Sequence, residues 1–306
     1  MAADMQSPKL KIIDPHIHLF DLSQGDYHWL KSANPPFWPD KSLIQQNFSE
    51  TDLLLSGNLQ LAGFVHIEAG FDNKQPWREL HWLAQSCQLP FRSIAFIDIS
   101  QSPINFALEL TKLSQFSSFV GVRYIFENDV ILTTLSNEQV LTNLKLLAER
   151  ALIFELQMPF DNIDAVKLIS QLLIQLPKLK VIINHGGFPD PDSESQFKQW
   201  QGVIQQFSQF SCCAIKCSGW EMQNRHYTVN WQEKVINHCL ACFGEDRVML
   251  ASNFPLTLFS QPYPAYWQAY VEQLTLAPKL LEKLCFTNSY HWYHFDNLFQ
   301  NPNNRK

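Results

Sequence analysis

Glycine is scarce, 10 residues in 306, and none falls in a G-x-G-x-x-G or G-x-x-x-x-G-K pattern. That removes the two commonest phosphate cradles, which need glycine where backbone closes on the nucleotide. Charge is scarce too: 23 basic residues against 29 acidic give a net charge of −6, so no basic field exists to hold a nucleic acid. No stretch approaches the roughly 18 consecutive apolar residues a membrane span needs. The opening MAADMQSPKLK has no apolar segment ahead of the strand-like KIID, so no secretory leader is expected. Seven cysteines, an odd number, lie mostly in apolar runs such as that of Cys212, Cys213 and Cys217, which argues for reduced thiols rather than a disulfide framework. The expectation is a cytoplasmic protein with a small-molecule substrate, no nucleic-acid or membrane partner, and oligomeric state left open to a homo-oligomer.

What the chain has is a series of short runs rich in Val, Ile and Phe. LKIIDPHIH, LAGFVHIEA, FRSIAFIDI, FVGVRYIF, ALIFELQM, LKVIINHGG, CCAIKCSG and RVMLASNFP make eight candidate strands. Between most of them apolar residues recur at helical spacing. Residues 137–150 place Val140, Leu141, Leu144, Leu147 and Ala148 on one stripe, with Ser136 and Gln139 as a capping pair. Residues 161–176 repeat the pattern until Pro177 stops it. Strand then helix, eight times in about 300 residues, predicts a single-domain (β/α)8 TIM barrel of the α/β class rather than an open doubly wound sheet. Residues 1–11 form a lead-in, 12–296 the barrel and 297–306 a polar tail. Residues 19–60 carry Trp29, Pro35, Pro36, Trp38 and Pro39, too long for a plain crossover, and are expected to pass over one mouth of the barrel.

Side chains alternate across a strand, so polar residues declare which face looks inward. The expected register puts Ile13 and Ile17 on one face of the first strand and Asp14, His16 and His18 on the other. In the second, Val65 and Ile67 face the helices while His66 and Glu68 face in. Asp98, Arg123, Glu155 with Gln157, His185 and Asn253 are placed inward near the carboxyl ends of their strands, and the seventh strand stays open between Cys217 and Lys216 with Ser218. Any one of these could be a buried ion pair or a satisfied core histidine. Polar groups delivered by many strands to one end are costly to bury unless solvent, metal or ligand meets them. His16 and His18, two apart on a strand, and His185 on a later one could share one divalent cation, Zn or Mn, or act without a metal.

These residues resemble the amidohydrolase superfamily, in its lactonase branch that includes 2-pyrone-4,6-dicarboxylate lactonase and L-fuconolactone hydrolase. IIDPHIHLFDLSQGDYHWL is similar to that branch's opening, GVRYI to its arginine motif, INHGG to its histidine strand, RVMLASNFP to its last strand and FTNSYHWY to its closing asparagine helix. The resemblance implies a lactonase whose site is lined by His16, His18 and His185, with an aspartate on the eighth strand taking the proton of the attacking water. Here that position is Asn253, whose amide cannot accept a proton. Glu68, Glu155 or a neutral His185 would then have to serve as base, and no metal is obligatory. Arg123 would bind a substrate carboxylate or hydroxyl, with Gln157, Trp220 and Arg225 as further contacts. The alternatives are a metal-dependent decarboxylase of the same superfamily and a catalytically silent binder.

Overall fold

The computed structural model describes residues 9–127 and 130–300. Eight parallel strands pair in sequence order: β1 Leu10–Ile17, β2 Leu59–Ile67, β3 Phe91–Phe96, β4 Phe119–Ile125, β5 Ile153–Gln157, β6 Lys180–Ile183, β7 Cys213–Cys217 and β8 Val248–Leu250. Past β8 the chain closes on β1, where Asn253 N–H donates to His16 O at 3.0 Å and His18 N–H to Phe254 O at 2.7 Å. Helices α1 Trp77–Ser86, α2 Pro103–Leu113, α3 Ile131–Leu135, α4 Glu138–Glu149, α5 Ile163–Gln175, α6 Glu194–Ser208, α7 Trp220–Gln223, α8 Val229–Phe243 and α9 Tyr263–Gln273 follow the strands from β2 onward. The result is the expected (β/α)8 barrel. A C-terminal helical run, α10 Pro278–Glu282 through α11 Asn288–Trp292, packs against β1, whose own crossover has no α-helix.

Local rules account for the helix ends. The Asn137 side chain accepts from Gln139 N at 2.9 Å, so α4 is capped one residue later than the Ser136 expectation. Asn162 caps α5, and Pro177 lies just beyond it. Residues 297–300 of the expected polar tail fall within a final helix α12, Asp296–Gln300; residues 1–8 of the expected lead-in and 301–306 of the tail lie outside the described residues.

Two apolar layers hold the barrel. Inside, each strand contributes at least one residue, from Ile13 on β1 to Met249 on β8, and Tyr293 and Phe295 plug this cluster from the amino-terminal end. Outside, alternate residues such as Ile12, Val181 and Ile215 pack under the helices. The segment between β1 and β2 forms three short 3₁₀ turns and crosses the carboxyl-end rim. Trp29 Nε1 donates to Ala69 O at 2.8 Å just past β2, while Trp38 packs edge-on against Phe259 past β8.

Candidate active site

The expected phase of the first two strands is corrected. From Asp14↔Phe64 to Ile17↔His66, β1 advances three residues while β2 advances two, which is a β-bulge. Ile13, ahead of the bulge, lies in the inner cluster, and Asp14 turns toward Ser252, whose N–H it accepts at 3.1 Å. After the bulge His16 and His18 point into the mouth. On β2 it is Val65 and Ile67 that face the lumen, and His66 faces out, with Nε2 2.9 Å from Glu79 on α1. Asp98 accepts from Ser100 N–H and Oγ in a local turn.

Three buried imidazoles meet at the carboxyl end. The His16 ring centroid lies 5.1 Å from that of His18 and 4.5 Å from that of His185. His185 reaches this position because its backbone turns left-handed, φ 53°, at the start of the His-Gly-Gly segment. Gly219 makes room for it: a Cβ there would lie 2.4 Å from His185 Nδ1. Burial, then the Lys216 charge, holds the His16 pKa well below the usual histidine range; burial and then Arg123 do the same for His18 and His185. All three are neutral at pH 7.

Hydrogen bonds fix two of the tautomers. His18 Nδ1 lies 2.8 Å from Ile67 O, which can only accept, so Nδ1 carries the proton and Nε2 keeps its lone pair. His16 is wired the other way. Lys216 Nζ sits 3.2 Å from His16 Nδ1, donates to Pro15 O at 2.9 Å and lies 2.6 Å from Glu155 Oε2. An ammonium only donates, so Nδ1 accepts and the His16 proton is on Nε2, an atom with no hydrogen-bond partner among the described residues. Glu155 also accepts from Tyr293 of the floor plug, so a chain of polar contacts runs from Tyr293 through Glu155 and Lys216 to His16. His185 Nδ1 is 3.0 Å from Ser218 Oγ. Lys216 on β7 and Ser218 just past its end thus face inward, and Cys217 belongs to the outer layer.

Arg123 is committed to its neighbours. Nε donates to Glu68 Oε1 at 2.8 Å, NH2 to Glu68 O at 2.6 Å and NH1 to Gln157 Oε1 at 2.8 Å. Gly121, two residues earlier, lets β4 approach β5: a Cβ there would lie 2.4 Å from Ile153 O. Trp220 is buried, with Nε1 donating to Tyr270 Oη at 2.8 Å, and Arg225 pairs with Asp40 of the crossing segment at 2.8 Å. Asn253, also left-handed at φ 60°, donates Nδ2–H to Glu221 Oε1 at 2.5 Å. Glu221 escaped the alternation argument because it sits on the short α7 rather than on a strand; its place just past the carboxyl end of β7 was the available signal.

Fold and site together define a barrel protein with a histidine-rich centre at the carboxyl-terminal mouth, the usual location of chemistry in this architecture. The chain belongs to the amidohydrolase family, whose model matches residues 13–295. It is 30% identical over 274 residues to the uncharacterized protein y4mH of Sinorhizobium fredii, covering 85% of this chain and 90% of that one. An amidohydrolase from Burkholderia multivorans, solved with bound zinc, superposes with a TM-score of 0.74 at 12% identity over 92% of this chain and 99% of the other. A candidate 2-pyrone-4,6-dicarboxylic acid hydrolase from Pseudomonas putida gives 0.62 at 18% identity over 94% and 99%. The 5-carboxyvanillate decarboxylase of Sphingomonas paucimobilis gives 0.56 at 14% over 94% and 99%. At these identities the solved structures share the fold.

The zinc of the Burkholderia protein prompts a test of the donor set here. Ligation by His16 needs a lone pair on Nε2, which the Lys216 contact assigns to a proton, and it would bring a dication beside a buried ammonium. Asn253 offers no anionic oxygen, and among the described residues no three His, Cys, Asp or Glu side chains are disposed to hold an ion. The three histidines do not fit a shared divalent cation.

Proposed function

We propose that the protein hydrolyses a lactone, or a comparable activated cyclic ester, of a small sugar-derived or carboxylated acid. The observation that carries this is the opposite wiring of two neighbouring imidazoles: His16 presents an N–H and His18 a lone pair. Ester hydrolysis needs that pair of functions, a donor for the carbonyl oxygen and an acceptor for the water proton. His16 Nε2–H polarises the carbonyl and stabilises the oxyanion, with the Lys216 charge behind it. Water adds to the carbonyl carbon, and its proton passes to His18 Nε2. Collapse breaks the ring C–O bond, and the same proton returns to the leaving oxygen. Their low pKa values keep the imidazoles neutral and able to accept well below pH 7. His185 packs beside His16, ring centroids 4.5 Å apart, and would meet the substrate as a neutral side wall of the mouth. Since the Arg123 fork is engaged by Glu68 and Gln157, a sugar-derived lactone suits the mouth better than a dicarboxylate.

A panel of sugar lactones and pyrone carboxylates, followed by acid release, tests the proposal. Turnover is expected to survive exhaustive chelation and to fall about 100-fold or more in His18→Gln. No turnover of any lactone, or carbon dioxide release from an aromatic acid instead, would overturn it.

A further inference from the structure

The pairing of Asn253 with Glu221 is unexplained by the roles above. Glu221 is fully buried, its Oε1 accepts Asn253 Nδ2–H, and its Oε2 has no partner among the described residues. Asn253 is anchored beside the reaction centre by its own N–H, which donates to His16 O. A carboxylate can only accept, so as long as Glu221 is ionised the amide must offer it the NH2 group and turn Oδ1 the other way. We propose that Glu221 is a positioning residue that acts through Asn253, holding the amide with Oδ1 directed into the mouth as the hydrogen-bond acceptor that aligns the attacking water. The reading rests on the hydrolytic function proposed above. The proton itself still goes to His18; the carboxylate–amide pair supplies orientation and negative polarisation where a lone strand-8 amide would supply neither.

Protonation of Glu221 removes the constraint. A carboxylic acid both donates and accepts, so it can pair with Asn253 Oδ1 as well as with the NH2 group, and Oδ1 is no longer held toward the mouth to accept from water. Burial raises the Glu221 pKa to about 7, against the lowering effects of the Asn253 bond and the Arg225 charge. The other titratable groups facing it are the hydroxyls of Tyr227, on the loop after α7, and of Tyr266 on α9. The switch therefore falls in the neutral range.

The test is NMR of the Asn253 side-chain amide in the full chain between pH 5 and 9, assigned with Asn253→Ala and compared with Glu221→Gln, which keeps size and removes the charge. The expected result is an amide shift with a midpoint near 7 in the wild type and none in the variant. An amide that ignores pH, or that titrates equally in Glu221→Gln, overturns the proposal whether or not a lactone has been found. With a substrate in hand, the wild-type rate should rise through the same midpoint. In Glu221→Gln kcat should fall about 10- to 100-fold with KM little changed and the limb lost, while Glu221→Asp restores part of it. An unaltered limb in Glu221→Gln would overturn the proposal, whereas absent lactone turnover would count against the hydrolytic function alone.

Discussion

At the scale of the residue, the site is built from buried groups whose partners decide what each can do. His16 and His18 are chemically identical and two positions apart, yet one is made a donor by an ammonium and the other an acceptor by a carbonyl. Glu221 carries a stability consequence of its own. Its folded pKa is raised from 4.5 to about 7, so between those values the folded state holds a proton that the unfolded state has released. The stabilisation from that protonated carboxyl is complete below pH 4.5 and lost as pH rises through about 7. A gap of roughly 2.5 units corresponds to about 3 kcal/mol. Glu221→Gln does not titrate, so its stability relative to wild type should improve by about that much between pH 4.5 and 8. Urea denaturation at the two pH values checks this, and a constant difference would refute it. A variant more stable at pH 8 but slower would mark Glu221 as a functional group kept at the expense of stability.

At the scale of the element, strands deliver the site but their irregularities aim it. The β1 bulge rotates His16 and His18 into the mouth after Ile13 has joined the floor, and Gly121 brings Arg123 against β5 beside Gln157. Gly121→Ala should cost about 2 kcal/mol, because its Cβ would collide with backbone at Ile153 rather than with a movable side chain. Chemical denaturation measures that cost; a change under about 0.5 kcal/mol would show that β4 and β5 can separate freely. These devices mark the limit of what was legible in the sequence. Eight apolar runs and the helical stripes between them were enough for the barrel, because period and count survive local irregularity. Phase does not survive it: one extra residue in β1 put Asp14 on the wrong face, and Val65, Ile67 and His66 were assigned opposite to where they lie. His16, His18 and His185 could be named because histidines near strand ends are conspicuous. Lys216 could not be chosen over Cys217 by alternation alone, and the partnership of Glu221 with Asn253 joins residues from different loops that no local pattern connects.

At the scale of the whole molecule, the barrel couples its two ends. Tyr293 and Phe295 come from near the C-terminus and enter the amino-terminal end of the lumen, and the Tyr293 hydroxyl begins the chain through Glu155 and Lys216 to His16. Both members of the central ion pair are wholly buried, and burial lowers the Lys216 pKa to about 8 even with Glu155 opposing that shift. Such a pair is poor evidence for net stabilisation, since apolar residues of similar volume often do as well. Breaking it is another matter: Lys216→Met leaves a carboxylate in the lumen and should destabilise by about 3–5 kcal/mol. Lys216→Met combined with Glu155→Leu removes both charges and should recover most of that loss in denaturant titrations. If the pair were only a structural tie, the double variant would also regain activity. The wiring of His16 leads to the opposite expectation. With no ammonium at Nδ1, the imidazole is free to take either tautomer, and its Nε2–H is no longer assured or backed by positive charge. On the hydrolytic function proposed above, the double variant should therefore be stable yet turn over a lactone substrate about 100-fold more slowly than wild type, a separation of folding from function that full activity would contradict.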